Sequence, residues 1–439
     1  MKRFLGNSAI SGIVLFSSAF LAIILSNSSY AHQFENFWNI KFSIGFDKFL
    51  LSKNLHHWIN DGLMAVFFFV VGLELKREII AGELNNIRKS ILPLVAAVGG
   101  MAIPALIYLF FNASGSTSNG WGIPMATDIA FALGVLYLLG NKVPVTVKIF
   151  LTALAIADDL GAVLVIAFFY TSNIDMTNLL IGLIFMIVLV IGNLAGVRAT
   201  WFYGIIGIGG LWMAFLMSGV HATIAAVLAA FTIPANVSVG ESAFAHRAGN
   251  LLSRFRMAEP NQKPTVTSEQ LGLLENLRLL AKKAQTPLQR LEHALHPFVA
   301  FIILPIFALS NAGIEFSGEL VNHSFSPVSL GVFFGLLLGK PIGIIAIVLL
   351  LVKLRMAKLP EGMNTLHLVG LGFLGAIGFT MSLFVSELAF VSEEFKMQAK
   401  LGIIAASVLA SLVGFLIFKI AIKRAKVFSN DSAESEKDD

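Results

Sequence analysis

Apolar residues do not alternate with polar ones along this chain; they run in long blocks. Twelve blocks of roughly 17–25 residues, the length of a bilayer-crossing helix, lie at 9–26, 59–82, 91–111, 122–140, 145–169, 177–196, 201–217, 219–234, 288–312, 328–352, 366–387 and 400–423. They are numbered here as spans one to twelve. Very short connections join spans four and five, and spans seven and eight, as in antiparallel helical hairpins. The strands of a membrane barrel would alternate, so the fold class expected is an all-α integral membrane protein.

Two spans carry helix breakers. Span four is interrupted around Gly122–Asp128, with Pro124 inside it. Span eleven holds Gly370, Gly372, Gly375 and Gly378 and closes on Phe379-Thr380. Spans three to five and ten to twelve thus form two triplets, each with a weak middle helix. That pattern points to two inverted three-helix repeats whose broken helices cross near the midplane at a transport site. Glycine-rich helices also serve as packing faces, which is the plainer reading.

The pattern also sets the domain organisation. A first transmembrane helix (1–26) is followed by an external segment (27–58), spans two to eight (59–234), a cytoplasmic insertion (235–287), spans nine to twelve (288–425) and a polar tail (426–439). Within the insertion, Thr267-Ser268-Glu269-Gln270 reads as a capping box. Leu271, Leu274, Leu277 and Leu280 follow as one face of an amphipathic helix. Thr286-Pro287-Leu288-Gln289 opens span nine with proline at the first helical position. Ser429–Asp439 is polar and expected to be disordered. Met1-Lys2-Arg3, the apolar run Ile10–Leu25 and Ser29-Tyr30-Ala31 imitate a cleavable signal peptide. The run is long for that role, and an even number of spans requires it, so it is read as an uncleaved first helix.

Composition supports the membrane reading. The 439 residues are 56% hydrophobic and 13% charged, with mean hydropathy +0.82; soluble domains carry about 25% charged residues. The net charge of +5 implies no nucleic-acid partner, because the cations sit in loops. Lys2, Arg3, Lys76, Arg77, Lys142, Arg198, Arg247, Lys263, Lys353 and Lys423 all fall on one side; Asp175, Glu315, Glu319, Glu393 and Glu394 mark the other, with Lys41, Lys48, Lys53 and Lys396 as exceptions. The positive-inside rule then places both termini in the cytoplasm. With no cysteine, disulfides and thiolate chemistry are excluded.

Three acids interrupt the apolar blocks. Asp128 sits at the break of span four, and Asp158 and Asp159 lie in the middle of span five. A charge at such depth costs about 2.5–3.5 kcal/mol or more and marks a functional site by default. Broken helices present partly positive N-termini and partly negative C-termini at midplane. Asp128 answers the first need, and Lys340, in Leu337-Leu338-Gly339-Lys340-Pro341-Ile342-Gly343, the second. Asp158 and Asp159 point about 100° apart on one helix, so they cannot chelate as an (i, i+4) pair. One can face an ion cavity while the other faces Lys340. Such carboxylates titrate as a coupled set, and oxygens that hold either an alkali cation or protons make an exchange site.

These stretches resemble a known family. They are Asn60-Asp61-Gly62-Leu63-Met64-Ala65-Val66-Phe67-Phe68-Phe69, Val71-Gly72-Leu73-Glu74-Leu75-Lys76-Arg77-Glu78, Ala126-Thr127-Asp128-Ile129-Ala130-Phe131-Ala132-Leu133-Gly134, Ala157-Asp158-Asp159-Leu160-Gly161-Ala162, Ser218-Gly219-Val220-His221-Ala222-Thr223, Arg290-Leu291-Glu292-His293 and Gly378-Phe379-Thr380-Met381-Ser382. In order, and over nearly the whole chain, they resemble the NhaA-type sodium/proton antiporters of bacterial inner membranes, a family with inverted repeats. The resemblance implies that Asp159 is the principal Na+ or Li+ ligand and a proton carrier, that Asp158 exchanges partners with Lys340, and that Thr127 and Asp128 sit at the helix crossing. It implies electrogenic exchange of internal Na+ or Li+ for external H+, no cofactor, and a homodimer in which 27–57 could take part. It places pH control with Glu74, Arg77 and Glu78, with Glu292, His293 and His296, and with His221. The plainer reading makes 74–78 a charged helix end and the histidines satisfied polar residues; His293 and His296 lack a third metal ligand. The insertion is longer than the family's loop, and Gln289 stands where a basic residue is usual.

Three rival functions fit less well. An intramembrane aspartyl protease would use Asp128 with Asp158 or Asp159 as its dyad, leaving a third acid and Lys340 without a role. A cation channel could use acid rings but gains nothing from a counter-lysine. An organic-solute symporter would need a larger mixed pocket.

Overall fold

The computed structural model describes residues 8–44, 51–82, 85–171, 174–258, 265–316 and 323–435. Lys2, Arg3, Lys48, Lys263, Glu319 and residues 436–439 of the tail lie outside the described residues. Eight described helices are long and apolar enough to cross a membrane, or ten if each of two bent pairs is one span. Two further helices fall on expected spans without meeting that measure. One is the helix at 55–81, which ends in Glu74, Lys76, Arg77 and Glu78; the other is the short Ala222–Thr232. The strands among the described residues are one antiparallel hairpin, Lys41–Ile44 with Leu51–Asn54, in which Lys41 faces Asn54. It follows a short helix, Ala31–Trp38, bent 119° from the first span.

Both expected breaks are present. Span four is a 3-10 segment, Ser116–Met125, then extended backbone, then an α-helix from Ile129 to Leu138. Span eleven is Thr365–Gly375 and Phe379–Ala389, bent by 41°. Span five, Val145–Phe169, is unbroken. Span ten widens into a π-turn at Gly335–Gly339, immediately before Lys340-Pro341. Pro341 has no N–H to give and its ring crowds the carbonyl four residues back; a wider turn relieves both.

Spans three and ten lie backbone to backbone, and a Cβ on Gly343 would collide with the carbonyl of Gly99. Span twelve packs along spans ten and eleven, and the first helix packs on Ile129–Leu138 and Leu304–Asn311. The last helix runs from Glu393 to Ser435, so the backbone of residues 429–435 is helical where the sequence suggested disorder. Helical propagation from a long preceding span adds one hydrogen bond per residue, which extends a helix more easily than it starts one.

The bundle has two distinct ends. The hairpin end carries the β-hairpin, Tyr170, His221, Asn311 and Glu387. The basic end carries the contacts of Arg77 with Glu292, and of Arg198 with the backbone of Asn236 and Val237. At the hairpin end Asp175 caps span six by accepting from the N–H groups of Thr177 (2.8 Å) and Asn178 (3.3 Å), which hold its carboxyl below the usual range.

The insertion is a helical hairpin, Glu241–Met257 against Ser268–Ala284. The capping boxes at Thr267/Gln270 and Thr286/Gln289 both form, so Gln289 serves the start of span nine. The buried stripe differs in part from expectation: Leu280 is buried as expected, but with Gln270 and Leu273, while Leu271 and Leu274 are 56% and 42% exposed. The packed face is set by where the 241–257 helix lies, which periodicity alone does not specify.

Candidate functional site

The two broken spans cross at their breaks. The Asp128 N–H donates to the carbonyl of Ile377 (2.7 Å), the Thr127 hydroxyl to that of Gly375 (2.8 Å), and the Ser382 hydroxyl to that of Ile123 (2.8 Å). Asp128 caps two helices at once. One oxygen accepts from the Phe131 N–H (2.9 Å) at the start of Ile129–Leu138. The other accepts from the Thr380 N–H (3.1 Å) and hydroxyl (2.5 Å) at the start of Phe379–Ala389. One carboxylate thus balances two partly positive helix ends.

The opposite charge sits where the carbonyls gather. Lys340, fully buried, donates to the carbonyl of Met125, the last residue of the 3-10 segment, and forms an ion pair with Asp158. The Thr127 hydroxyl shares its one proton between the Gly375 carbonyl and Asp158 (2.5 Å). Thr127 therefore ties the acid of span five to the crossing.

Asp159 turns the other way. It is 1% exposed, and its Oδ1 has no hydrogen-bond partner. With Thr127, Asp128 and Thr380 it lines a cavity of about 100 Å³ that extends toward Glu74 and His296. The divergence of the two acids follows from their adjacency on one helix.

Five of the residues assigned to pH control meet where the cavity runs toward the basic end. Arg77 bridges Glu292 (2.5 Å) and Glu78 (2.8 Å), and His296 Nδ1 lies 3.3 Å from Glu74. His293 is exposed beside them. His221 lies at the opposite end, with Nε2 2.9 Å from the carbonyl of Tyr170. The Tyr170 hydroxyl bonds the Asn119 carbonyl and the Gly122 N–H at the start of span four. Thr380 and the carbonyls of Met125, Gly375 and Ile377 take part without having been expected from the sequence. A hydroxyl or carbonyl in an apolar run gives no signal until its partner's position is known.

Comparison with known proteins places the whole chain in one family. A family model described as Na+/H+ antiporter 1 matches residues 2–418. The chain is 48% identical to the Na(+)/H(+) antiporter NhaA of Oleidesulfovibrio alaskensis, over 96% of this chain and 94% of that protein. It is 48% identical to Na(+)/H(+) antiporter NhaA 2 of Syntrophotalea carbinolica, over 96% and 97%. It is 46% identical to the NhaA of Acidithiobacillus ferrooxidans, over 97% and 98%. The chain belongs to the Na+/H+ antiporter 1 family and is an NhaA-type sodium/proton antiporter, a secondary transporter rather than an enzyme.

Proposed function

We propose that Na+ and H+ exchange by competing for Asp159, with Li+ as an alternative cation. The observation that carries this reading is that Asp159, with its Oδ1 unpartnered, lines the cavity, whereas Asp158, whose Oδ1 is also unpartnered, does not line it and is held through Oδ2 by Lys340 and Thr127. A dehydrated alkali cation needs oxygens, and Asp159, Asp128, Thr127 and Thr380 offer them at one wall of the cavity. When a cation arrives, Asp158 leaves Lys340 to join it, and Lys340 and Asp159 give up protons. More protons than sodium ions then move per cycle, so the exchange is electrogenic.

The orientation proposed has the basic end and both termini in the cytoplasm of a bacterial inner membrane. Na+ then enters from the cytoplasm past Glu74 and His296. The Glu74–Arg77–Glu78–Glu292–His296 cluster, with His293 beside it, stands at the entrance and controls exchange by pH. His221 acts on the start of span four through Tyr170. The β-hairpin, paired with a second copy, makes a homodimer.

The test is dequenching of a pH-sensitive dye in energised vesicles on adding NaCl, LiCl or KCl. Dequenching with Na+ and Li+ but not K+, lost in Asp159→Asn, is expected. A silent native chain between pH 6 and 9 overturns the functional reading. An active Asp159→Asn overturns only the site assignment.

A further inference from the structure

From a second constellation, and on the orientation proposed above, we infer that His56, Asn60, Asn311 and Glu387 form the external port of the exchange route, and that Phe68, Phe307 and Phe384 close it. Three helices line much of the cavity that reaches Asp159: span two through Val70 and Glu74, span nine through Ala300 and Leu304, and span eleven through Thr380 and Met381. Each then carries one buried phenylalanine toward the hairpin end. Phe384 of span eleven meets Phe68 of span two (ring centroids 5.2 Å) and Phe307 of span nine (6.3 Å). All three are at most 1% exposed.

Beyond that block the same three helices turn polar. At 1.5 Å rise per residue, Asn60 lies about 12 Å outward of Phe68 along its helix, Asn311 about 6 Å outward of Phe307, and Glu387 about 5 Å outward of Phe384. His56 Nε2 is 3.0 Å from Asn311 Oδ1, and Asn311 donates to Asn60 Oδ1 (3.0 Å). Asn311 is completely buried, Asn60 is 8% exposed, and the Glu387 side chain is 6% exposed. Buried amides and carboxylates are costly unless bonded, and hydrophobic residues would close the bundle more cheaply. Three polar groups, one on each of the three helices that carry the aromatic block, mark the continuation of one path.

Glu387 is the charged member. Lys396 (3.0 Å) and Lys400 (3.3 Å), both from span twelve, hold it, with His56 of span two facing it, and Glu393 shares Lys396 at 2.8 Å. In this arrangement the carboxylate is occupied by cations of the chain. When the aromatic block parts, Glu387 meets the ion leaving Asp159, and the lysines compete with it. The competition keeps Na+ from resting at the port. This explains why Lys396, which breaks the positive-inside pattern, lies at this end.

The test reconstitutes the native chain, Glu387→Gln and Glu387→Asp in proteoliposomes of known orientation and presents Na+ to one face at a time. Removing one charge-assisted contact should raise the external KM in Glu387→Gln about tenfold. The cytoplasmic KM stays unchanged, and Glu387→Asp restores the external value. A clamp that only holds spans eleven and twelve together would lower the rate from both faces without changing the ratio of the two KM values, and that result overturns the port. An effect on the cytoplasmic face alone supports the port and overturns the orientation. If Glu387→Gln does not fold, the cysteine-free chain allows Asn60→Cys to be probed with a membrane-impermeant thiol reagent. External labelling that quickens under an imposed Na+ gradient supports the port. Absence of labelling from either face overturns it.

Discussion

At the scale of single residues, the site is an arrangement of compensations. Lys340 and Asp158 are both buried and each is the other's charge partner. Removing one member of such a pair costs about 3–5 kcal/mol, because the other is left uncompensated. Lys340→Ala should therefore lower the melting temperature in detergent, and Lys340→Ala with Asp158→Asn should recover most of the loss; equal losses in the single and double variants would contradict this. Thr380→Val keeps the backbone N–H on Asp128 but removes the hydroxyl at 2.5 Å. A hydrogen bond to a charged group is worth about 1.5–3 kcal/mol, so Na+ affinity in vesicles should fall about tenfold or more. The acids and Lys340 were legible in the sequence because a charge in an apolar block is conspicuous. Thr380 was not, because a threonine is tolerated there without a partner.

At the scale of elements, backbone approach and capping do the positioning. Gly343→Ala puts a methyl group against the Gly99 carbonyl, where backbone must move. Overpacking of this kind costs about 1–3 kcal/mol or more; thermal unfolding of Gly343→Ala measures it, and slower transport should accompany the loss because Lys340 lies on the displaced helix. Asp175 gives a pH test. Its carboxyl is held below the usual range by the N–H groups of Thr177 and Asn178, so its stabilising effect is present above the unfolded-state value, about 3.9, and is lost as pH falls through the lower folded value. The gap in melting temperature between the native chain and Asp175→Ala should be constant near neutral pH and close as the medium becomes strongly acidic. The broken helices were legible from Pro124 and from Gly378, which stands at the break of span eleven; Gly370, Gly372 and Gly375, also taken as breakers, lie within the helix Thr365–Gly375, since glycine only weakens a helix. The buried face of Ser268–Ala284 was misread because Leu271 and Leu274 satisfy the same period as Leu273 and Leu280, and only the partner helix chooses between them.

At the scale of the whole molecule, the cavity joins the crossing to a cluster that includes Glu74 and His296. Residues in direct contact are not additive. Glu74→Gln and His296→Ala should shift the pH of half-maximal exchange in the same direction, and the double variant should shift it by less than their sum; full additivity would separate the two residues functionally. Most spans were legible because a long apolar block marks a membrane-crossing helix; eight to ten of the described helices meet that measure, against the twelve expected. The Glu387–Lys396–Lys400 group was not legible, since Lys396 reads as an exception until its partner is placed beside it.

The long sequence separation across the crossing has a consequence for biosynthesis. Lys340 lies 215 residues after Met125, and Thr380 lies 252 after Asp128. At about 5–20 residues per second, a ribosome makes Asp128 roughly 10–50 s before the groups that compensate it. The nascent half-protein must hold its acids uncharged, or at the lipid surface, until the second repeat arrives. Chains truncated before Lys340 should therefore be held by membrane chaperones or degraded, and translational pausing between the halves should lower yield more than pausing after Thr380.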